Sequence, residues 1–473
     1  MALGAGAARH RTHPSHIARQ LVAPLVRQRL ALAEGDGAMN TMPNAVAPTA
    51  VASLVDTESS IAASGVPAAT AACGGRRIRL LVFTSLYPNA TQPRHGVFVE
   101  ERLRHLIDSG RIDATVVAPV PWFPFRSAMF GGYARFATVP KEEERYGIRI
   151  LHPRYPVIPK LGMNISPALM VRALLPTCRR LQGNGADFDL IDAHYLYPDG
   201  VAAARIGAAL GKPVVISARG SDVTLISRYR SPRRQILRTA RQASAIITVS
   251  RVLRDKLVEL GAAPQKITVL RNGVDLDRFG PRNRTMIRAR LGLSGPVWLT
   301  VGHLIELKGV HIVIEALAQV PDATLLIAGD GPEGRRMTEL AKQLGLQARI
   351  RFLGAVPHGE LCNYYNAADA LMHASSREGM PNAVLESMAC GTPVVAAPFE
   401  GVRELLDTPE AGEVASERTC DAIVAAWLRL RDRAPTRAAT RAHAERFGWQ
   451  PVVKAQCALY TRVLSQTAEE TGP

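Results

Sequence analysis

The sequence predicts an α/β protein of two doubly wound domains, each a parallel sheet with helices on both faces, behind an N-terminal tail without order. Three observations carry that prediction. Short apolar runs alternate with amphipathic stretches of helical period from Arg77 onward, the pattern of sheets covered on both sides. The alternation pauses at Arg271-Asn272-Gly273-Val274-Asp275 and a linker from about Leu276 to Ser294, then restarts at Val297. Residues 1–76 show neither period.

A chain of 473 residues accommodates two domains and a tail. Its net charge of +17 lies almost wholly after residue 76. Such a balance suits an anionic membrane surface, an anionic substrate or nucleic acid. No zinc-finger, RRM or KH signature favours nucleic acid. The six cysteines are scattered, with no Cys-x-x-Cys. That argues against a zinc site or disulfide framework and for a reducing compartment. No run reaches the ~18 to 20 apolar residues of a membrane span.

The tail has no acid up to Ala33 but holds Arg9, Arg11, Arg19, Arg27 and Arg29. Organellar transit peptides share that composition. A start assigned too early, with Met39 or Met42 opening a shorter product, accounts for it equally. From Val46 to Gly75 the chain is rich in Ala, Ser, Thr, Pro and Gly, a disordered lead-in.

Arg77–Thr84 reads as a buried strand, and a helix is expected from about Phe98 to Ser109. Between them, Gly96 follows the first strand, where a glycine lets backbone approach a ligand closely. A plain strand–helix turn is the alternative. Further strands are expected at Ala114–Ala118, Gly147–His152, Ala186–His194, Pro213–Ser217, Ala245–Ser250 and Ile267–Arg271. Active loops belong at the carboxyl ends of such strands. Two of these ends are unexpectedly polar: Asp192-Ala193-His194 before Pro198-Asp199-Gly200, and Arg219-Gly220-Ser221-Asp222.

Two stretches of this first half are basic. Val223–Arg254 contains no acid and clusters Arg228, Arg230, Arg233, Arg234, Arg238 and Arg241. Pro153–Leu181 mixes apolar residues with Arg154, Lys160, Arg172, Arg179 and Arg180. A solvated face explains both; docking on anionic lipid is the sharper reading.

In the second half, the strand Val297–Gly302 leads into His303-Leu304-Ile305-Glu306-Leu307-Lys308-Gly309 and a helix Val310–Ala318. Lys308 is placed to neutralise a diphosphate. After the strand Ala323–Ala328, Gly329–Gly334 matches the dinucleotide fingerprint in form. Pro332 at the helix start and the missing ribose-binding acid after the next strand, Arg349–Leu353, exclude a nicotinamide enzyme. Ala370–His373 is a strand that delivers the chain to Glu378.

Glu378 to Ala396 divides into a loop, a helix, a glycine stop and a short strand. Pro381 suits a first helical position, and Gly391 a left-handed C′ position. Glu378 then precedes the helix, and Glu386 lies inside it, two turns on. The amides of Gly379, Met380 and Asn382 point out of the positive helix start. An anion held there has one carboxylate on each side. A nucleotide sugar has the matching layout: Glu378 accepts from the sugar, the helix start holds the diphosphate, and Glu386 takes the ribose hydroxyls. For the glutamate pair alone, an amphipathic helix with two solvated acids is the alternative. Beyond Ala397, a helical region to about Ala444 and a last helix, Pro451–Leu464, are expected.

The full string resembles the Glu-x7-Glu segment of the retaining glycosyltransferases of family 4, and the likeness runs from about residue 78 to 450. It implies the GT-B fold, two Rossmann-like domains facing a cleft. Residues 77–288 form the acceptor-side domain, 289–447 the nucleotide-sugar-binding domain, and 448–466 a helix crossing back to the first. It further implies that the Gly96 loop reaches the donor, that His194 is an acceptor-side residue, and that Asp222 lies on a sugar-side loop. The loop through Val356 contacts the base by main-chain groups. Catalysis then rests on His194, Glu378 and Lys308. The position of His303 is commonly Arg in the family, paired with the lysine on the phosphates. Histidine there implies weaker or pH-dependent phosphate binding.

The implied reaction moves a hexosyl group from a nucleotide-diphosphate sugar to a hydroxyl of a lipid-linked saccharide, with retention, in cell-surface polysaccharide biosynthesis. Tyr87-Pro88 through Glu101, with Arg219–Asp222, looks most like enzymes of exopolysaccharide and teichuronic-acid assembly. No metal or other cofactor is expected. Asp187–Asp189 precedes its strand and Asp275–Asp277 enters the linker, so neither Asp-x-Asp is placed as a metal motif. Such an enzyme is expected in the cytoplasm, peripheral on the inner face of the membrane. One rival keeps the fold and changes the reaction, and a second comes from another class. A sugar-nucleotide epimerase turns over without an acceptor. A non-catalytic nucleotide-sugar-binding partner protein is favoured by His303 and opposed by intact Lys308, Glu378 and Glu386.

Overall fold

The structure, a computed structural model, describes residues 76–127, 129, 134–157, 162–183 and 187–470. The readings of the tail as targeting segment, early start or disordered lead-in concern residues outside that set, as does Lys160.

The first domain is an eight-stranded sheet. In spatial order its strands are Ile267–Val269, Ala245–Thr248, Val214–Ala218, Leu190–His194, Ile78–Phe83, Ile112–Val117, Ile148–Leu151 and Glu142–Arg145. All neighbours are parallel except the last pair. Leu190–His194, Val214–Ala218 and Ala245–Thr248 are buried at every residue, as strands covered on both faces must be. The order reverses at Ile78–Phe83, which has Leu190–His194 on one side and Ile112–Val117 on the other. A crevice opens at that switch, beyond the carboxyl ends of the strands.

Glu142–Arg145 is a strand the sequence does not suggest, since all four residues are charged. It survives as an antiparallel edge because its glutamates find donors on the neighbouring stretch. Arg149 Nε lies 2.5 Å from Glu142, and His152 Nε2 lies 2.7 Å from Glu143.

The second domain is a six-stranded parallel sheet in the order Ile350–Gly354, Thr324–Ala328, Val297–Val301, Ala370–His373, Val394–Ala396 and Gly412–Val414. Here the expectation of one helical region after Ala397 fails. Gly412–Val414 adds an edge strand, followed by two helices, Cys420–Arg433 and Arg437–Glu445. The strand is three residues long and opens on Gly412 at φ 148°, where a Cβ would stand 1.9 Å from the Val394 carbonyl oxygen. So short a strand carries no readable period. The linker also holds a helix, Arg284–Arg290, capped by the Asn283 side chain.

The last helix, Trp449–Glu470, returns to the first domain. Cys457, Leu459, Tyr460 and Val463 join Leu80, Leu103 and Val116 in one buried cluster. Gly273 makes room at the crossing, since a Cβ there would lie 2.4 Å from the Trp449 ring.

Candidate active site

The helix after Glu378 spans Asn382–Ala389. Pro381 is its N-cap, with an extended ψ of 110°, and not its first helical residue as the sequence suggested. The proline φ suits either place, and ψ decides between them. Gly391 takes φ 76° directly after the helix.

This helix start forms one wall of a cavity of about 430 Å³ between the domains. Lys308, Glu378, Gly379, Met380, Asn382 and Glu386 line it from the second domain. Phe98, Arg219 and Asn272 face them from the first. A second cavity of about 770 Å³ adjoins it and shares Phe98, Val301, Gly302 and Leu361. Gly96, His303 and Val356 line that one. The expected donor-side residues thus border one continuous cleft, apart from Asp222.

Lys308 Nζ donates to Glu378 Oε1 at 2.6 Å. Burial works against ionised Glu378, but Lys308, through its charge and its hydrogen bond, leads the groups that hold its carboxyl below the usual range. His373 itself is pushed down to about 4, by burial and by Lys308 against the pull of Glu378. Glu386 is held at both oxygens: His358 Nε2 lies 2.9 Å from Oε1, and Tyr365 donates to Oε2 at 2.8 Å.

Glycines set how closely the domains meet. A Cβ on Gly379 would stand 2.0 Å from the Arg219 carbonyl oxygen, and one on Gly220 would stand 3.2 Å from Gly379 Cα. Beside this contact the Asn272 amide donates to Met380 Sδ, and its Nδ2 donates to Asn382 Oδ1 at 3.0 Å. Arg219 donates to Asn272 Oδ1 at 3.1 Å, and its guanidinium lies 5.2 Å from the Phe98 ring centroid.

Two expected residues lie off the cleft wall. Asp222 accepts backbone N–H from Leu196, Arg219, Gly220 and Val223 at 2.7–3.1 Å. Its carboxylate ties two loops together and does not border either cavity. His194 is 2 % exposed and sits behind Arg219, whose Nη2 donates to Nδ1 at 2.5 Å. A guanidinium only donates, so Nδ1 is the acceptor and Nε2 carries the proton. That Nε2 lies 3.1 Å from Asp192. Burial, helped by Arg219, keeps the imidazole neutral against the pull of Asp192. The side chain that reaches the cleft from these loops is Arg219, which burial and Arg102 lower to about 9.

From the loop Arg219–Asp222 the sequence pointed to Asp222 as the site residue, and Arg219 is the one that lines the cleft. His358 and Tyr365, which hold Glu386, are not among the residues named from the sequence, and nothing in their local sequence marks them. The glycines of Gly329–Gly334 pack one loop on another: a Cβ on Gly329 would meet the Gly302 carbonyl at 1.9 Å, and one on Gly331 the Leu304 carbonyl at 2.5 Å. Asp187 and Asp189 pair with Arg79, while Asp275 accepts the amides of Asp277 and Arg278.

Comparison with known proteins gives this cleft a family. Residues 95–278 match the model described as Glycosyltransferase Family 4, and residues 283–447 match Glycosyl transferases group 1. TuaC of Bacillus subtilis (strain 168), assigned to teichuronic acid biosynthesis as a glycosyltransferase, is 31% identical over 336 residues, covering 69% of this chain and 83% of its own. Sucrose-phosphate synthase from Thermosynechococcus elongatus superposes with a TM-score of 0.66 at 21% identity, over 83% of this chain and all of that one. Anabaena HepE, solved in complex with UDP-glucose, gives a TM-score of 0.62 at 20% identity, over 82% of this chain and all of its own. By these matches, and by the two sheets that face across the cleft, the chain belongs to the family 4 glycosyltransferases of GT-B fold.

Proposed function

We propose that this glycosyltransferase moves a hexosyl group from a nucleotide-diphosphate sugar to a hydroxyl of a lipid-linked saccharide, with retention of configuration, in cell-surface polysaccharide biosynthesis. The observation that carries the reading is the order of groups along one wall of the cleft. Along the chain Glu378, paired with Lys308, comes first, then the amides of Gly379, Met380 and Asn382, then Glu386 in the helix, and all of these residues line the cleft. That order suits a sugar, a diphosphate and a ribose. The TuaC name supports a surface polysaccharide as the product, and the UDP-glucose complex of HepE supports a nucleotide-sugar donor.

The main electrostatic task is to stabilise charge on the departing diphosphate. Lys308 and the helix amides supply that positive potential without a metal, and His303 lines the adjoining cavity. Glu378 orients the sugar. On the acceptor side, Arg219 presents N–H donors to the cleft, and His194 fixes Arg219 from behind. His194 is thus a positioning residue in this scheme.

The protein is expected to work in the cytoplasm, peripheral on the membrane. Arg230, Arg233, Arg234, Arg238 and Arg241 of the helix Arg230–Gln242 are exposed. On the same domain Trp122, Phe125 and Met129 are exposed apolar side chains. Among the described residues no helix is long and apolar enough to cross a membrane.

The test is a panel of nucleotide sugars with lipid-linked saccharide acceptors, following released nucleoside diphosphate and the anomeric configuration of the product by NMR. A retained anomeric centre is expected. Turnover of the nucleotide sugar without acceptor would instead identify an epimerase, and binding without turnover on any acceptor a partner protein.

A further inference from the structure

His358 stands at a junction that these roles leave unused. It opens a short turn, His358–Glu360, just beyond the Val356 loop of the second domain. Its ring is held from both sides. Nε2 lies 2.9 Å from Glu386 Oε1, and Nδ1 lies 3.2 Å from Glu101 Oε1. Glu101 belongs to the helix Val97–Asp108 of the first domain. Both carboxylates belong to buried residues. Arg278, from the connection between domains, donates to the same Glu101 oxygen at 2.8 Å. The Phe279 ring packs 5.1 Å from the imidazole, and Tyr365 holds the far oxygen of Glu386.

Each ring nitrogen faces a carboxylate, with Arg278 Nη1 also 3.3 Å from Nδ1 beside the Glu101 oxygen it shares, and an imidazolium suits that bridge. With it, two anions face two cations across the domain boundary. Burial pulls the His358 pKa down, but hydrogen bonds to Glu101 and Glu386, and their charges, raise it to about 10.

We propose that Glu101, His358 and Glu386 form a clasp that sets the ribose-side carboxylate only when the two domains are closed, with His358 as the positioning residue. The proposal rests on the reading of Glu386 as the ribose ligand. When the domains part, Glu101 moves off with the first domain. His358 then loses one of the two anions that fix its ring, and Glu386 keeps a fixed donor only in Tyr365. When they close, both Glu386 oxygens are oriented, and their remaining lone pairs are free for a diol. Nucleotide binding and domain closure then favour each other to the same degree.

The experiment uses the full chain, three single variants, namely Glu101→Gln, which lies outside both cavity walls, His358→Ala and Glu386→Ala, and the double variant Glu101→Gln with His358→Ala. Calorimetry against a panel of nucleoside diphosphates gives affinity, and small-angle scattering gives the radius of gyration with and without the nucleotide that binds. Glu101→Gln and His358→Ala should each weaken the nucleotide about tenfold and reduce the compaction it causes. The double variant should be no worse than the singles, because they act as one unit. A merely structural His358 would lower the melting temperature and leave affinity and compaction alone. Wild-type affinity in Glu101→Gln and His358→Ala, with binding lost in Glu386→Ala, overturns the clasp but keeps the ribose reading. Unchanged binding in Glu386→Ala, or no binding of any nucleotide to the wild type, overturns both.

Discussion

Lys308 Nζ lies 2.6 Å from Glu378 Oε1, so the cation proposed for the phosphates and the carboxylate proposed for the sugar form one hydrogen-bonded pair. His373 stands 3.6 Å from the same oxygen. Its pKa of about 4, set by burial and Lys308, leaves it neutral at ordinary pH. Lys308 is therefore the cation that keeps the buried Glu378 ionised, and a sugar hydroxyl entering beside it meets a fixed acceptor.

The two glutamates should separate by effect. Glu386→Ala should chiefly weaken the nucleoside diphosphate, whereas Glu378→Ala should leave that affinity nearly intact and lower sugar transfer. Loss of a hydrogen bond to a charged group suggests about 1.5–3 kcal/mol for each. Calorimetry and initial rates test this; equal binding and transfer in both folded variants would sink the assignment.

Gly379→Ala should reduce transfer about tenfold or more by holding the domains apart, as its Cβ would lie 2.0 Å from the Arg219 carbonyl oxygen. Gly379 is not among the positive-φ glycines, so the loop itself accepts alanine. The melting temperature should hold while the radius of gyration with nucleotide rises. Wild-type transfer would show that the contact does not limit closure.

His303 borders the adjoining cavity, with Nδ1 3.9 Å from Asp330. Replacement by Arg puts a permanent cation at this position. Donor affinity should rise. If His303→Arg and His303→Ala both leave donor binding unchanged, the side chain does not serve the phosphates.

His358 makes stability depend on pH in one direction. Its pKa is raised in the folded protein from 6.5 to about 10 by Glu101 and Glu386, against burial. A raised pKa contributes stability that is complete below the unfolded value and is lost as pH climbs through the folded one. The melting-temperature advantage of wild type over His358→Gln should therefore shrink between about pH 6.5 and 10. A constant or growing advantage contradicts the ion-paired bridge.

The exposed arginines should make the first domain dock on anionic membrane. Each basic side chain near such a surface adds on the order of 1 kcal/mol, and salt should weaken the binding as the Debye length falls to about 3 Å at 1 M. Co-sedimentation with anionic and neutral vesicles, comparing wild type with Arg228, Arg230, Arg233 and Arg234 changed to Glu, gives the answer. Equal sedimentation of both on anionic vesicles, or none by wild type at low salt, returns these residues to a solvated face.

By itself the sequence determined the two alternating halves, the helix after Glu378 with its glycine stop, and the grouping of Lys308, Glu378 and Glu386, which line one cavity. Those features are written in periods and spacings of a few turns, so they are readable locally. What only the tertiary structure decided is the work of each polar group. Asp222 became a hub for four backbone amides, and His194 was buried behind Arg219. His358 came to link Glu101, far back in the chain, to Glu386. Glu142–Arg145 became a strand through partners on its neighbour, and Gly412–Val414 through the open edge beside Val394. A polar side chain takes whatever donor or charge the fold brings within about 3 Å, and most of these partners lie far off in sequence, where no local period records them.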